Sequence, residues 1–146
     1  MTRSGHWEIP RLQLLWDRFV EYTTDLTGKI SVYHYSATAS EIEDAVGLKA
    51  TKSVNRGDAR SRADSPPYDR SSAHFEIVSK QDIEPARAVS KCLDVIEASS
   101  TDVLATGSVW IIVGLYDADF VQINFKDELL KRMGKAGVSL ALENRG

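Results

Sequence analysis

Arginine, tyrosine and aspartate are crowded into one stretch of the chain, NRGDARSRADSPPYDRSS over residues 55–72. A guanidinium is a planar fork of donors that can grip a carboxylate or a phosphate through two bonds at once. Arginine and tyrosine are also the types enriched where protein interfaces concentrate their binding energy. The stretch has almost no apolar residue and contains Gly57, Pro66 and Pro67. It therefore reads as a long loop, and long loops inside small domains are usually functional or mobile. Arg56, Asp58, Arg60, Arg62, Tyr68 and Arg70 are its candidate partner-binding residues. The plainer alternative is a solvated loop whose arginines pair with Asp58, Asp64 and Asp69. A second candidate lies further on. From Cys92 to Phe125 there is no lysine or arginine but there are five acids, among them Asp117 and Asp119 in a tight turn. Such a turn could meet a basic partner, where complementary charge speeds association.

Other chemistries find less support. The three histidines, His6, His34 and His74, are far apart and none belongs to a close His/Cys/carboxylate cluster. His74 and Glu76 would share a strand face, and His34 on another strand would complete a two-histidine, one-carboxylate set. Solvated or hydrogen-bonded histidines are the commoner case, and no metal site is expected. Cys92 falls beside the apolar stripe of a helix, where cysteine is an inert small hydrophobe. The pairs Glu41/Glu43 and Asp117/Asp119 fall on an exposed helix and a turn and read as solvation and turn chemistry. There is no Gly-x-Ser-x-Gly elbow and no glycine pattern for a phosphate or dinucleotide loop. No catalytic set and no cofactor are expected.

The totals agree with a binding role. The chain has 146 residues, a length that suits one domain spanning 1–146. Such a domain buries roughly two-thirds of its unfolded surface and needs no metal or disulfide to hold it. With Cys92 as the only cysteine, no intrachain disulfide can form. A net charge of −3 and a single aromatic residue within the basic loop argue against nucleic-acid binding. No apolar run approaches the roughly 20 residues that span a bilayer. The N-terminus carries Trp7, Glu8 and Asp17 where a signal peptide would need an apolar core. A cytoplasmic location is the expectation.

The elements that must position these residues follow from periodicity. Pro10, Leu12, Leu15, Trp16, Phe19 and Val20 predict an N-terminal amphipathic helix over 8–27, ended by Thr27-Gly28. It would dock on the core of its own domain or, in the alternative, dimerise. Ile30–Tyr35 reads as a strand. Thr38-Ala39-Ser40-Glu41 fits a capping box opening a short helix that Gly47 closes. A short strand over Ala50–Val54 leads into the loop, and a strand over Ala73–Ser79 leaves it. Asp82 would cap a helix carrying Pro85 in its first turn and Ala86, Val89, Leu93 and Ile96 on its core face. Ser108–Tyr116 is the longest nearly unbroken apolar run and predicts a strand buried on both faces. Its extension through Asp117–Asp119 into Phe120–Phe125 predicts a β-hairpin. A helix over Lys126–Ala136, with Leu129, Leu130 and Met133 inward, and a strand from Val138 complete the chain. The economical architecture is α+β: one mixed sheet of five to six strands with the helices mainly on one face.

The run YHYSATASEIEDAVGLKATKSVNRGD, with Glu41, Ile42, Gly47, Leu48, Arg56, Gly57 and Asp58, resembles the opening of a small bacterial domain-of-unknown-function family (four-two-seven-nine). The later helix, apolar strand, short helix with Gly137 and last strand are similar too, so the resemblance covers about residues 30–143. In such proteins a tryptophan often stands in the strand after the loop, where this chain has His74-Phe75. The resemblance implies a toxin-immunity-like role. The leading expectation is a non-enzymatic protein-binding module, a bacterial immunity protein or antitoxin that neutralises a toxin by direct binding, monomeric or weakly dimeric. A basic toxin would suit the acids at Asp117 and Asp119. The alternative is a small-molecule or anion-binding domain, with or without an enzymatic role, in which the loop covers a pocket lined by Arg56, Arg60 or Arg62 with His34 or His74 nearby.

Overall fold

Strand β1, Thr24–His34, alternates in the manner of a strand with one face on a core: Leu26, Ile30 and Val32 are fully buried, while Asp25, Thr27, Lys29 and Tyr33 are half-buried. The computed structural model describes residues 24–62, 64–116 and 123–145. The helix predicted over 8–27 lies outside the described residues except for its last turn, and there it is corrected: Thr24–Thr27 belong to β1, paired on both sides. Thr24 and Thr27 are β-branched and favour the extended backbone that this pairing rewards.

The remaining elements are helix α1 (Ala39–Val46), β2 (Lys52–Val54), β3 (Ser71–Ile83), α2 (Pro85–Ala98), α3 (Thr101–Ala105), β4 (Ser108–Leu115), α4 (Asp127–Ala136) and β5 (Val138–Asn144). The five strands form one sheet in the order β2-β3-β1-β4-β5, antiparallel except for the parallel β4–β5 pair. The protein is thus α+β, with a mixed sheet and helices. The crossover β1-α1-β2 straddles β3, and β3-α2-α3-β4 straddles β1. This interleaving is the split β-α-β motif, to which α4 and β5 add one more strand.

The helices gather on one face. Across that face run Ile30, Phe75 and Ile111, paired in register, with Val32, Ala73 and Val109 in the next row. All six are at most 5% exposed. Burial of each large side chain among them contributes about 1.5–3 kcal/mol. Helix α2 covers them with Ala88, Val89, Cys92, Leu93 and Ile96. A Cβ on Gly28 would press at 3.3 Å on Val78 of the neighbouring β3 and meet the Cys92 sulfur of α2 at 3.5 Å. Helix α1 has both halves of the expected capping box, between Thr38 and Glu41, and ends at Gly47 with φ of 80°. Helix α4 ends likewise at Gly137 with φ of 69°. Both are left-handed conformations that glycine adopts without a Cβ penalty.

Several expectations are revised. β4 has β1 on one side and β5 on the other, and Ile123–Phe125 are not in a strand, so the predicted hairpin over 108–125 does not form. Alternation in Val121–Phe125 is real, but both edges of β4 are taken. β3 begins two residues before Ala73 and continues to Ile83, through register shifts opposite Gly28 and Lys29. Asp82 is in that strand, and α2 is preceded by Glu84 with no side-chain cap. The short helix α3 interrupts what reads as a linker. In α4 only Met133 is buried; Leu130 is exposed.

Candidate functional site

The second face of the sheet, alternate to the core, carries Lys29, Ser31 and Tyr33 from β1, Ser72, His74 and Glu76 from β3, Lys52 and Val54 from β2, and Trp110 from β4. Among the described residues no helix packs on it. One row runs in register across the sheet as Lys52, His74, Ser31, Trp110 and Ser139. Beside the Lys52 end of this row the 55–70 loop folds back over the strands.

The loop is held at its base by its own backbone. Gly57 N–H donates to Tyr68 O at 2.8 Å, and Tyr68 N–H donates to Asp58 O at 3.0 Å. The Asp58 carboxylate accepts from Asn55 N–H at 2.8 Å, and the Asn55 amide oxygen accepts from Ala39 N–H at 2.8 Å at the start of α1. Arg56 N–H donates to Ser71 Oγ, and its guanidinium donates to the Tyr35 carbonyl at 3.0 Å. Arg56 and Asp58 are therefore occupied in shaping the loop.

The rest of the loop closes a cavity of about 260 Å³ against the sheet, lined by Tyr33, Lys52, Val54, Arg60, Tyr68, Asp69, Arg70, Ser72 and His74. Its cations are placed on aromatic rings. The Arg60 guanidinium lies 4.7 Å from the centroid of Tyr68, and that of Arg70 lies 4.3 Å from the centroid of Tyr33. Tyr33 meets the His74 ring edge-on at 5.8 Å and 79°. Cation–ring stacking fixes a guanidinium without consuming its N–H donors. No carboxylate pairs with Lys52, Arg60 or Arg70 among the described residues; the one acid in the lining is Asp69.

His74 forms the floor. Its Nδ1 is 2.7 Å from the hydroxyl of Ser31, a fully buried side chain. Burial first, and then the charges of Lys29 and Lys52, push the imidazole below its ordinary value. His74 is thus biased toward the neutral form, as expected for a histidine among cations.

Arg60, Tyr68 and Arg70 are brought together by the fold. Arg62 points to solvent, 81% exposed, with only a loose contact of 3.9 Å to Asp64. Asp117 and Asp119 lie outside the described residues. His34 is on the opposite face of the sheet from His74, so the two-histidine, one-carboxylate arrangement is excluded. Its Nδ1 accepts from the amides of Ser36 at 3.0 Å and Ala37 at 2.8 Å, which leaves Nε2 to donate to Thr106 Oγ1 at 2.8 Å. His34 thereby ties the end of β1 to the turn before α1 and to α3. Cys92 is fully buried, and burial pushes its thiol up to about 12, so it holds no thiolate at neutral pH. Glu41 and Glu43 accept from the amides of Thr38 and Ala50 and do more than solvate α1.

The residues that sequence reasoning left out of the site are Tyr33, Lys52, Val54, Asp69 and Ser72, while His74 entered as a metal-ligand candidate and as a neighbour of the alternative anion pocket. Alternation along β1 sets Tyr33 on the face away from Ile30 and Val32, which is a legible signal. That Lys52 and His74 face each other depends on the β2–β3 register, which no local pattern encodes.

The chain matches no protein-family model, no curated protein and no solved structure.

Proposed function

We propose that this chain is a non-enzymatic protein-binding module whose recognition surface is the 55–70 loop with the sheet surface beneath it, and that it acts as an immunity protein or antitoxin that neutralises a bacterial toxin by direct binding. The observation that carries the reading is the stacking of Arg60 on Tyr68 and of Arg70 on Tyr33. Interface anchors are typically Arg and Tyr held in place before the partner arrives, because pre-ordering removes much of the entropy cost of association. The loop base supplies this order through the Gly57–Tyr68 and Tyr68–Asp58 hydrogen bonds. Cys92 and His34, two of the residues able to do nucleophilic or acid–base chemistry, are committed to the core and to structural hydrogen bonds. The cleft is cationic, so the partner's contribution there is anionic.

The test is capture of a partner by the tagged chain from its native organism, repeated with Arg60→Gln/Arg70→Gln. The reading expects a partner retained by the parent chain and lost by the variant. That partner should arrest growth when expressed alone and be relieved by co-expression of this chain. A partner that is harmless alone, or that binds the variant equally, contradicts it.

A further inference from the structure

We infer that the cleft between the 55–70 loop and the sheet is an oxyanion site, built to take one carboxylate or phosphate group, with Arg60, Arg70 and Lys52 as its charged donors. The inference rests on the reading of this loop as the recognition surface and names the chemistry that the surface takes.

Charge is the first argument. The lining holds three cations, Lys52, Arg60 and Arg70, against one carboxylate, Asp69, a balance of +2 with His74 neutral (three minus one). Arg132 is the contrasting case, an arginine beside a cleft whose donors are used up. Arg132, beside the grooves between α2 and α4, donates to Glu97 at 2.7 and 3.0 Å, to Asp94 at 2.8 Å and to Ser90 at 3.0 Å. Arg60 and Arg70 lie over tyrosine rings instead, which leaves their forks of donors unspent.

Size is the second argument. A cavity of about 260 Å³ is below the roughly 300–1,000 Å³ of pockets that enclose a whole drug-sized ligand. It accommodates a charged group presented on something larger, or a small free anion.

The floor is the third. His74 is confronted by Lys52 from β2, by Lys29 and Tyr33 from β1, and by Arg60, Tyr68, Asp69 and Arg70 from the loop, with Glu76 further along its own strand. Burial first, and then the charges of Lys29 and Lys52, lower the proton affinity of the ring. An oxyanion beside these lysines offsets the charged part of that effect, so the proton affinity of the imidazole rises as the anion enters. By linkage, anion affinity then rises as pH falls through the histidine range. The Ser31 hydroxyl at Nδ1 fixes the ring while this happens.

The experiment is NMR titration of the uniformly labelled chain with sodium sulfate and, separately, sodium acetate, against sodium chloride at equal ionic strength. Sulfate keeps its charge across the pH window and stands in for a phosphate; acetate stands in for an acidic side chain or chain terminus. The inference expects saturable shifts confined to the cleft, an upward move of the His74 imidazole pKa on saturation, and affinity weakened about tenfold or more in Arg60→Gln/Arg70→Gln. A preference for acetate marks a carboxylate-bearing partner, and a preference for sulfate marks a phosphate. His74→Gln should bind sulfate with no dependence on pH. If the double variant does not fold, Lys52→Gln read by the same shifts should show weakened binding. Shifts no greater than those of chloride, or unchanged in the arginine or lysine variants, overturn the inference. Sulfate binding by a chain that captures no partner would leave the oxyanion site standing and remove the protein-binding reading. Capture that depends on Arg60 and Arg70 without any saturable anion binding would do the reverse.

Discussion

His34 and His74 stand on adjacent strands of one sheet and face opposite ways. On the helix side, His34 accepts two backbone amides and donates to Thr106, so every polar atom of its ring is committed. On the other side, His74 has one hydroxyl neighbour and a ring of cations. The arginines divide in the same way. Arg132 joins α4 to α2 through two carboxylates and a hydroxyl, whereas Arg60 and Arg70 rest on tyrosine faces. On the helix side, His34 and Arg132 spend their polar groups on holding the fold together. On the other side, the Arg60 and Arg70 forks have no hydrogen-bonded partner among the described residues, although Arg56 does. The difference teaches that a residue type says little here until its face is known.

The contrast can be pressed with substitutions. The largest effect belongs to the core. Phe75→Ala should lose about 3–5 kcal/mol of stability in a urea unfolding titration, since Phe75 is almost fully buried beneath the helices. A loss under 1 kcal/mol would mean that this face is not the packed one. His34→Ala comes next. It strands the Ser36 and Ala37 amides and removes the tie to Thr106, whose hydroxyl keeps its bond to the Asp102 carbonyl, for an expected loss of about 1–3 kcal/mol by the same measurement.

Arg132→Gln should have a smaller effect, a fall of a few degrees in thermal midpoint that shrinks at high salt. The Arg132, Asp94 and Glu97 side chains are 33%, 68% and 44% exposed, and exposed pairs are screened. The smallest effect is pH-dependent. Because the folded state holds the His74 pKa below its ordinary 6.5, the unfolded chain takes up its proton first as pH falls. Stability should therefore decline as pH drops through about 6.5 and level off once the folded histidine is also protonated. His74→Gln should flatten that part of the curve while leaving stability at neutral pH nearly unchanged.

Much of the fold was legible because its signals are local. The capping box of Thr38 and Glu41, the closing glycines Gly47 and Gly137, and the strand at Ser108–Leu115 are each decided by a few neighbouring residues, although that strand is not buried on both faces as expected, since Ser108 and Trp110 are exposed. What was not legible depends on partners distant in sequence. The pattern over Val121–Phe125 looks like a hairpin arm, and only the pairing of β4 with β1 and β5 excludes it. The shifts in β3 opposite Gly28 and Lys29 lengthen that strand past any turn signal. For the site, residue types drew attention to the right loop, yet Arg56 and Asp58 proved to be its internal fastenings. Lys52, Tyr33 and His74 joined it through strand register.

Sulfate titration of Arg60→Gln/Arg70→Gln beside Arg132→Gln tests the division between the two faces most directly. The account predicts that Arg132→Gln binds sulfate like the parent chain, while the double variant binds it about tenfold or more weakly and keeps its thermal midpoint. Equal binding by both variants, or equal loss in both, would contradict it.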